Sequence, residues 1–257
     1  MPKVNTALKL LKHAIGLLTR HPLVTARVIA PAVVLMAGVG VLMALFAPEM
    51  LLISTSNLEI GGSAIRLLPV ALLTVFILSY ALMAILWHRH TLSAGHAPEP
   101  MTAQLLLGYL WRVAVLAMIQ LAVSLVLVMP LLMAEQSANA DAPSIYSILL
   151  TTFATQLVLV WLSLRLSLIL PAAALGRPIS LKHSWEQTLG LSRPLWGVAA
   201  ILAVTNTVLS GLVTLFGPLG PGGALALELP LYVIEGLLIF SVLTTLYAQL
   251  IQKNTRA

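Results

Sequence analysis

The chain has 257 residues, 60% hydrophobic and 9% charged, with a mean hydropathy of +1.01. Soluble domains run at about 45–50% apolar and about 25% charged, so a globule of this composition could not clothe its surface for water. A soluble enzyme, a disordered chain and, with no cysteine present, a disulfide-rich secreted module are excluded. Fourteen Lys and Arg against eight Asp and Glu leave a formal charge of +6, which must be placed relative to a bilayer before it says anything about partners.

In chain order, Val4, Leu8, Leu11, Ile15 and Leu18 recur at spacings of three and four, with Lys9, Lys12, Gly16, Thr19 and Arg20 on the other side. That pattern predicts an amphipathic helix lying along a membrane surface. A spanning helix needs about 20 apolar residues, given a rise of about 1.5 Å per residue and a hydrocarbon core of about 30 Å. Six windows qualify: Ala26–Phe46, Arg66–Trp87, Trp111–Met133, Tyr146–Leu170, Trp196–Phe216 and Pro230–Ile251. The runs are continuously apolar without period-2 alternation, which favours helices over a barrel. The first is expected to be retained, because it exceeds a signal h-region and no A-x-A site follows it.

Shorter segments precede the third and fifth windows. Pro98-Glu99-Pro100 leads into Met101, Leu105 and Tyr109, four apart. Pro178-Ile179-Ser180 opens a segment that Ser180 can cap, in which Leu181, Trp185 and Leu189 share a face. A Gly followed by an Arg marks each passage into a span: Gly16 with Arg20, Gly108 with Arg112, Gly190 with Arg193. The expected fold class is therefore all-α, a polytopic membrane protein in one integral domain over 1–257. Its six transmembrane helices form three parallel repeats, 1–87, 98–170 and 178–252, each an interfacial amphipathic helix plus a transmembrane hairpin.

All but Arg66 of the 14 basic residues then fall on one side, and Glu49, Glu59, Glu135, Asp141 and Glu228 on the other. Basic residues stay cytoplasmic, so both termini are expected inside. The six histidines share the basic side. His88-Arg89-His90 reads as interfacial residues of a polar loop, since no Asp or Cys accompanies them and Glu99 is the only nearby carboxylate; no metal and no cofactor are expected.

There is no Walker A sequence, H-E-x-x-H or G-x-S-x-G, and Asp141 is the single aspartate. No catalytic residues are assigned, and the chain is expected not to be an enzyme. Gln120, Gln156 and Asn206 fall near the middle of their spans as a candidate midplane polar patch; interhelical hydrogen bonding accounts for them more simply, since none is charged. Glu235 is the one carboxylate inside a window, and Arg66 opens a window on the same side, which makes them a candidate ion pair. Arg165 is expected to snorkel to headgroups. Lys9, Lys12, Lys182 and Trp185 are the candidate lipid-headgroup contacts.

Two stretches carry a resemblance. One runs from Leu164-Arg165-Leu166 through Pro171, Gly176-Arg177-Pro178 and Ile179-Ser180-Leu181 to Ser184-Trp185 and Thr188-Leu189-Gly190; the other is Trp87-His88-Arg89-His90-Thr91-Leu92. Both resemble six-span bacterial inner-membrane proteins of the YciC type and the membrane domain attached to some glycerophosphodiester phosphodiesterases. The likeness covers most of the chain and implies the bacterial inner membrane as location. It brings no catalytic residues, and no soluble stretch is long enough to hold a phosphodiesterase domain.

The expected function is that of a non-enzymatic inner-membrane protein with a scaffold, envelope-maintenance or lipid-interacting role. The alternative is a small-solute or lipid transporter or permease component. The partners expected are the phospholipid bilayer and anionic lipid at the cytoplasmic face, with no nucleic acid; a homo-oligomer or membrane partner stays open, and an ATPase subunit belongs only to the alternative. The topology is testable on a background without native cysteine. Cysteines at Asn57, Ser137 and Gly222 should react with an impermeant reagent from outside, and those at Ser93, Ser184 and Thr255 should not; the reverse pattern overturns the orientation.

Overall fold

A computed structural model describes residues 4–46, 67–93, 100–137, 145–216 and 220–252. Arg66, Glu49, Glu59, Glu99, His96, Asp141, Lys3, Lys253 and Arg256 lie outside them. The described residues are helical, with no strand among them. Five segments are long and apolar enough to cross a membrane: Pro22–Phe46, Val70–Leu92, Ala103–Met129, Leu181–Leu209 and Glu228–Ile251. A sixth, Leu150–Leu166, is apolar but shorter.

Helix α1 (Val4–Thr19) and α2 (Pro22–Phe46) meet at a two-residue break, with Pro22 at the first position of α2, where its missing N–H costs nothing. Helix α3 (Leu67–Leu92) runs past Trp87, so His88, Arg89 and His90 belong to a helix and not to a polar loop. Basic side chains in a last turn suit the negative end of the helix dipole, and Thr91 closes the turn by donating to the Trp87 carbonyl at 2.8 Å. Helix α4 (Ala103–Ser137) is continuous over 35 residues, about 52 Å. The surface segment expected before the third span is therefore the first turns of the span itself. Thr102 caps it, accepting from Leu105 N at 3.2 Å.

Helix α5 (Ile145–Leu166) stops four residues before the expected end of its span, and a turn at Ser167-Leu168 leads to the short buried α6 (Ile169–Ala174). α6 closes with paired backbone bonds, Arg177 N to Ala172 O at 2.9 Å and Gly176 N to Ala173 O at 3.0 Å. Gly176 sits at φ 72°, the left-handed conformation this helix ending requires. Helix α7 (Leu181–Thr188) is capped by Ser180, which accepts from His183 N at 3.1 Å. A 3-10 turn, Leu189–Leu191, joins it to α8 (Ser192–Phe216). Helix α9 (Gly220–Tyr247) starts well before Pro230, which lies inside it, and ends in a π-turn, Ala248–Gln252. A membrane helix can carry an internal proline because neighbouring groups satisfy the freed carbonyl.

The most extensive helix pairs are α2 with α3, α5 with α8, and α1 with α9. On α2 the buried positions Ile29, Ala32, Met36, Val39 and Met43 are spaced three and four apart. They meet Ala81, Ala84 and Ile85 lower on α3, and Leu72 and Phe76 higher up. Small residues in such a seam let membrane helices approach closely. α9 joins two cores, one with α2, α3, α4 and α6, the other with α1, α5, α6 and α8. It has 56% of its most apolar window buried, whereas α4 has 6%. Leu35, Leu45, Leu73, Leu121, Leu125 and Val208 belong to a wide exposed apolar belt that water would not tolerate and lipid would.

One glycine is dictated by packing. A Cβ on Gly236 of α9 would lie 2.9 Å from Tyr80 Cζ, beneath a ring that also packs on Phe240 with centroids 5.3 Å apart. Gly236→Ala should lower stability in detergent by about 1–3 kcal/mol through overpacking. Gly211→Ala, where an added Cβ meets nothing within 4 Å, should leave the unfolding temperature unchanged or higher; equal losses would contradict the close approach.

Candidate functional site

The end of α5 is held by the polar face of α7. Ser184 Oγ lies 2.7 Å from the Arg165 carbonyl and 3.0 Å from that of Leu166, two groups the ending helix leaves without an intrahelical partner. Arg165 is 3% exposed. Its Nε donates to Thr188 Oγ1 at 3.3 Å and its Nη2 to the Trp185 carbonyl at 3.1 Å. The guanidinium lies over the Trp185 ring, 3.5 Å from the centroid, and 5.3 Å from that of Trp161. Trp161 in turn stacks on Trp196 with centroids 4.6 Å apart. Arg165 therefore does not snorkel to headgroups. A buried, weakly hydrated cation is held by tryptophan faces and neutral acceptors, an arrangement that suits Arg and not Lys.

This corrects the expected faces of the surface helices. On α7 the buried residues are Ser184 and Thr188, Leu181 and Trp185 are half-buried, and Leu189 is 55% exposed. The polar edge turns inward because it carries the hydroxyls that complete α5. Ser184 is fully buried, so Lys182, 86% exposed at its side chain, is the better labelling position. On α1 the buried face is Ala7, Leu10 and Ala14, packed on α8 and α9, while Leu8 and Ile15 are exposed. Alanines win because the helices approach closely: a Cβ on Gly197 of α8 would lie 3.1 Å from that of Ala7.

Of the candidate headgroup contacts, Lys9, Lys12 and Lys182 are exposed, and Trp185 spends its ring face on Arg165. Arg20, Arg27, Arg177 and Arg193 are also exposed. The bonds from α3 to α9 and from α5 to α7, with the seat of α1 on α8, gather these ends at one pole of the bundle. Among the described residues the one ion pair there is Lys182 with Glu186, at 3.9 Å. Beside this pole a cleft of about 330 Å³ lies between the start of α4 and the turn after α6, lined by Gly108, Arg112, Gly176 and Pro178. Arg112 Nη1 donates to Gly108 O at 2.6 Å.

The span polar residues are not gathered into one patch. Gln120 Nε2 donates to Ser163 Oγ on α5, Asn206 Nδ2 to Glu235 Oε1 on α9 at 2.8 Å, and Gln156 is half-buried without joining either pair. Glu235 thus has an amide partner, and Arg66 is outside the described residues. His88, fully buried, places Nδ1 2.9 Å from Thr244 Oγ1. Because Thr244 donates its own proton to Phe240 O at 2.7 Å, His88 Nδ1 carries the hydrogen and Nε2 is left a buried acceptor without a partner. His90 is exposed, and no cluster of three metal-ligating residues occurs among the described residues. Reading by sequence missed Ser163, Ser184, Thr188 and the inward turn of His88. Ser184 and Thr188 did leave a signal, two hydroxyls four apart in a segment scanned only for apolar spacing.

Compared with known protein families, with curated proteins and with solved structures, the chain matches none.

Arg165→Lys keeps the charge but loses the stacked plane and a directed bond, and should lower stability by about 2 kcal/mol or more. Arg177→Lys, at an exposed site, should change it by less than about 0.5 kcal/mol. Thermal unfolding in detergent, followed by tryptophan fluorescence, measures both; equal effects would show that the cage is not specific for Arg.

Proposed function

We propose that the chain is a non-enzymatic, six-span integral membrane protein of the bacterial inner membrane, with both termini inside, whose basic pole engages anionic lipid. The observation that carries the reading is the imbalance at that pole. Lys9, Lys12, Arg20, Arg27, Arg177 and Arg193 are exposed there and pair with no carboxylate among the described residues, whereas Lys182 pairs with Glu186. Cations left uncompensated by the protein draw anions from outside, and a cytoplasmic leaflet at about −30 mV supplies them. Apolar Leu8 and Ile15 stand exposed beside Lys12, so one edge of α1 offers burial together with charge. α5, at 22 residues or about 33 Å, is the sixth span on this reading. The resemblance to YciC-type proteins agrees with it and adds no activity. A permease draws less support, since Gln120 and Asn206 are bound to separate neighbours and do not line a shared path.

Lys9→Gln, Lys12→Gln and Lys182→Gln combined should reduce the preference for anionic over zwitterionic lipid about tenfold. Added salt should erode the wild-type preference in the same way. Spin-labelled lipids of either headgroup, partitioned against the purified protein, measure both. An unchanged preference in the triple variant overturns the lipid reading.

A further inference from the structure

We propose that a cavity between α3, α4, α5 and α9 binds a neutral single-chain lipid with a hydroxyl head, a long-chain alcohol or a monoacylglycerol, taken sideways from the bilayer. The cavity measures about 290 Å³, near the lower bound of about 300 Å³ for small-molecule sites. Its walls are mainly apolar, with Leu116 from α4 and Phe240 from α9, and its polar groups are Gln120, Ser163, Ser167 and Tyr80. None is charged. The nearest cation in sequence, Arg165, turns its guanidinium away onto Thr188 and Trp185. An ionised head would stay unpaired at this depth, so the ligand's polar group is neutral.

The hydroxyls have capacity to spare. Thr74, Ser79, Thr205, Thr207 and Thr245 each donate to the carbonyl four residues back, the usual way a membrane helix satisfies such groups. Ser167 does not. It is 4% exposed, lines the cavity, and its hydroxyl has no hydrogen-bond partner among the described residues. Ser163 Oγ accepts from Gln120, which leaves its own proton free, and the Gln120 carbonyl is free as well. Two donors and an acceptor therefore belong to residues that line one apolar cavity. A ligand hydroxyl, which both donates and accepts, fits that set.

The route is lateral. α4 forms the outer wall and is the least buried of the five candidate spans. Gln120–Ser163 is the one side-chain hydrogen bond from α4 to another helix among the described residues. A ligand hydroxyl that takes over these partners can replace the bond that holds the wall.

The test uses the full chain in phosphatidylcholine nanodiscs, with hexadecanol carrying a diazirine in its chain, and crosslinks mapped by peptide mass spectrometry. Labelling should be saturable, should concentrate on 113–120 and 160–167, and should be competed by unlabelled hexadecanol or monoolein. The matching diazirine fatty acid at pH 8 should label these peptides at least about fivefold less. Ala117→Phe should cut labelling at least about fivefold by filling the cavity, while Leu125→Phe, on the exposed belt, should not. Gln120→Leu with Ser167→Ala should erase the preference for alcohol over fatty acid. Labelling that is unsaturable and spread over the exposed faces of α2 and α3 would mean ordinary lipid contact and would overturn the proposal. So would equal labelling by the fatty acid, no labelling, or indifference to Ala117→Phe in a variant that keeps its unfolding temperature. The lysine triple variant should label like the wild type, so this result and the anionic-lipid result fail independently.

Discussion

Where α5 stops at Leu166, its last carbonyls are covered by the protein, with Arg165 3% exposed and Ser184 fully buried. Each buried backbone group left unsatisfied costs about 1–3 kcal/mol. The single Ser184 hydroxyl proton is shared between two of them, and it reaches them only because α7 presents its polar edge inward. From that one constraint the rest of the pole follows. Thr188, one turn on, meets Arg165 Nε, and Trp185 between them is brought face-on to the guanidinium. The chain then turns through Leu189–Leu191 into α8, whose Trp196 closes the stack on Trp161. α8 is thereby set against α5 and offers Gly197 and Leu195 to α1. An apolar α7 face turned inward would have left two carbonyls and a buried cation without partners, a larger loss than leaving Leu189 exposed.

The same accounting explains how sparingly polarity is used elsewhere. Thr244 and Thr245 on α9 donate along their own helix, and the side-chain bonds between spans among the described residues are few: His88 with Thr244, Gln120 with Ser163, Asn206 with Glu235. Bonds of this kind contribute only about 0.6–2 kcal/mol each. Their value lies in register. Each fixes one helix pair at one height, while the apolar seams, such as that of α2 with α3, supply most of the contact. Trp87 Nε1, His88 Nε2, Trp161 Nε1 and Ser241 Oγ are buried without partners among the described residues, and three of these four lie on α3 and α9.

How far the fold was legible depended on the physics behind each signal. Span length and continuous hydropathy reflect the bilayer's thickness, so the apolar windows, the amphipathic α1 and the Ser180 cap were readable. The ends were not. Pro230 looked like a start but lies inside α9, and Gly108 looked like a break but lies inside α4, because a membrane helix tolerates both residues. Which face of α1 or α7 turns inward was also hidden. Spacing shows that a face exists, but close approach at Ala7 and unpaired carbonyls at Arg165 decide which one is buried. These are tertiary facts with no periodic trace. Of the candidate site, the exposure of Lys9, Lys12 and Lys182 followed from their pattern. The bond from the Asn206 amide to Glu235 did not: two lone charges pointed to Arg66, which lies outside the described residues, and pattern reading does not rank a neutral donor.

The two halves of the molecule differ in how firmly they are built, and that difference bears on function. α9 is sealed on several sides, with Val242, Leu243, Leu246 and Tyr247 buried toward α1 and α8, and Leu237 and Phe240 toward α2 and α3. Among the described side chains α4 buries Tyr109 and Leu116, packs Leu106, Leu110 and Val113 beside them, and makes one hydrogen bond to another helix. Elements that move are drawn from the part with the fewest buried contacts. A scaffold role alone gives no reason to leave α4 less sealed than α9, whereas the lipid binding proposed above supplies one. On that proposal, the basic pole would keep its hold on the membrane surface while α4, the more lightly packed wall, admitted a lipid. The polar groups of that wall are neutral, so displacing it would expose hydroxyls and an amide to hydrocarbon and no bare charge.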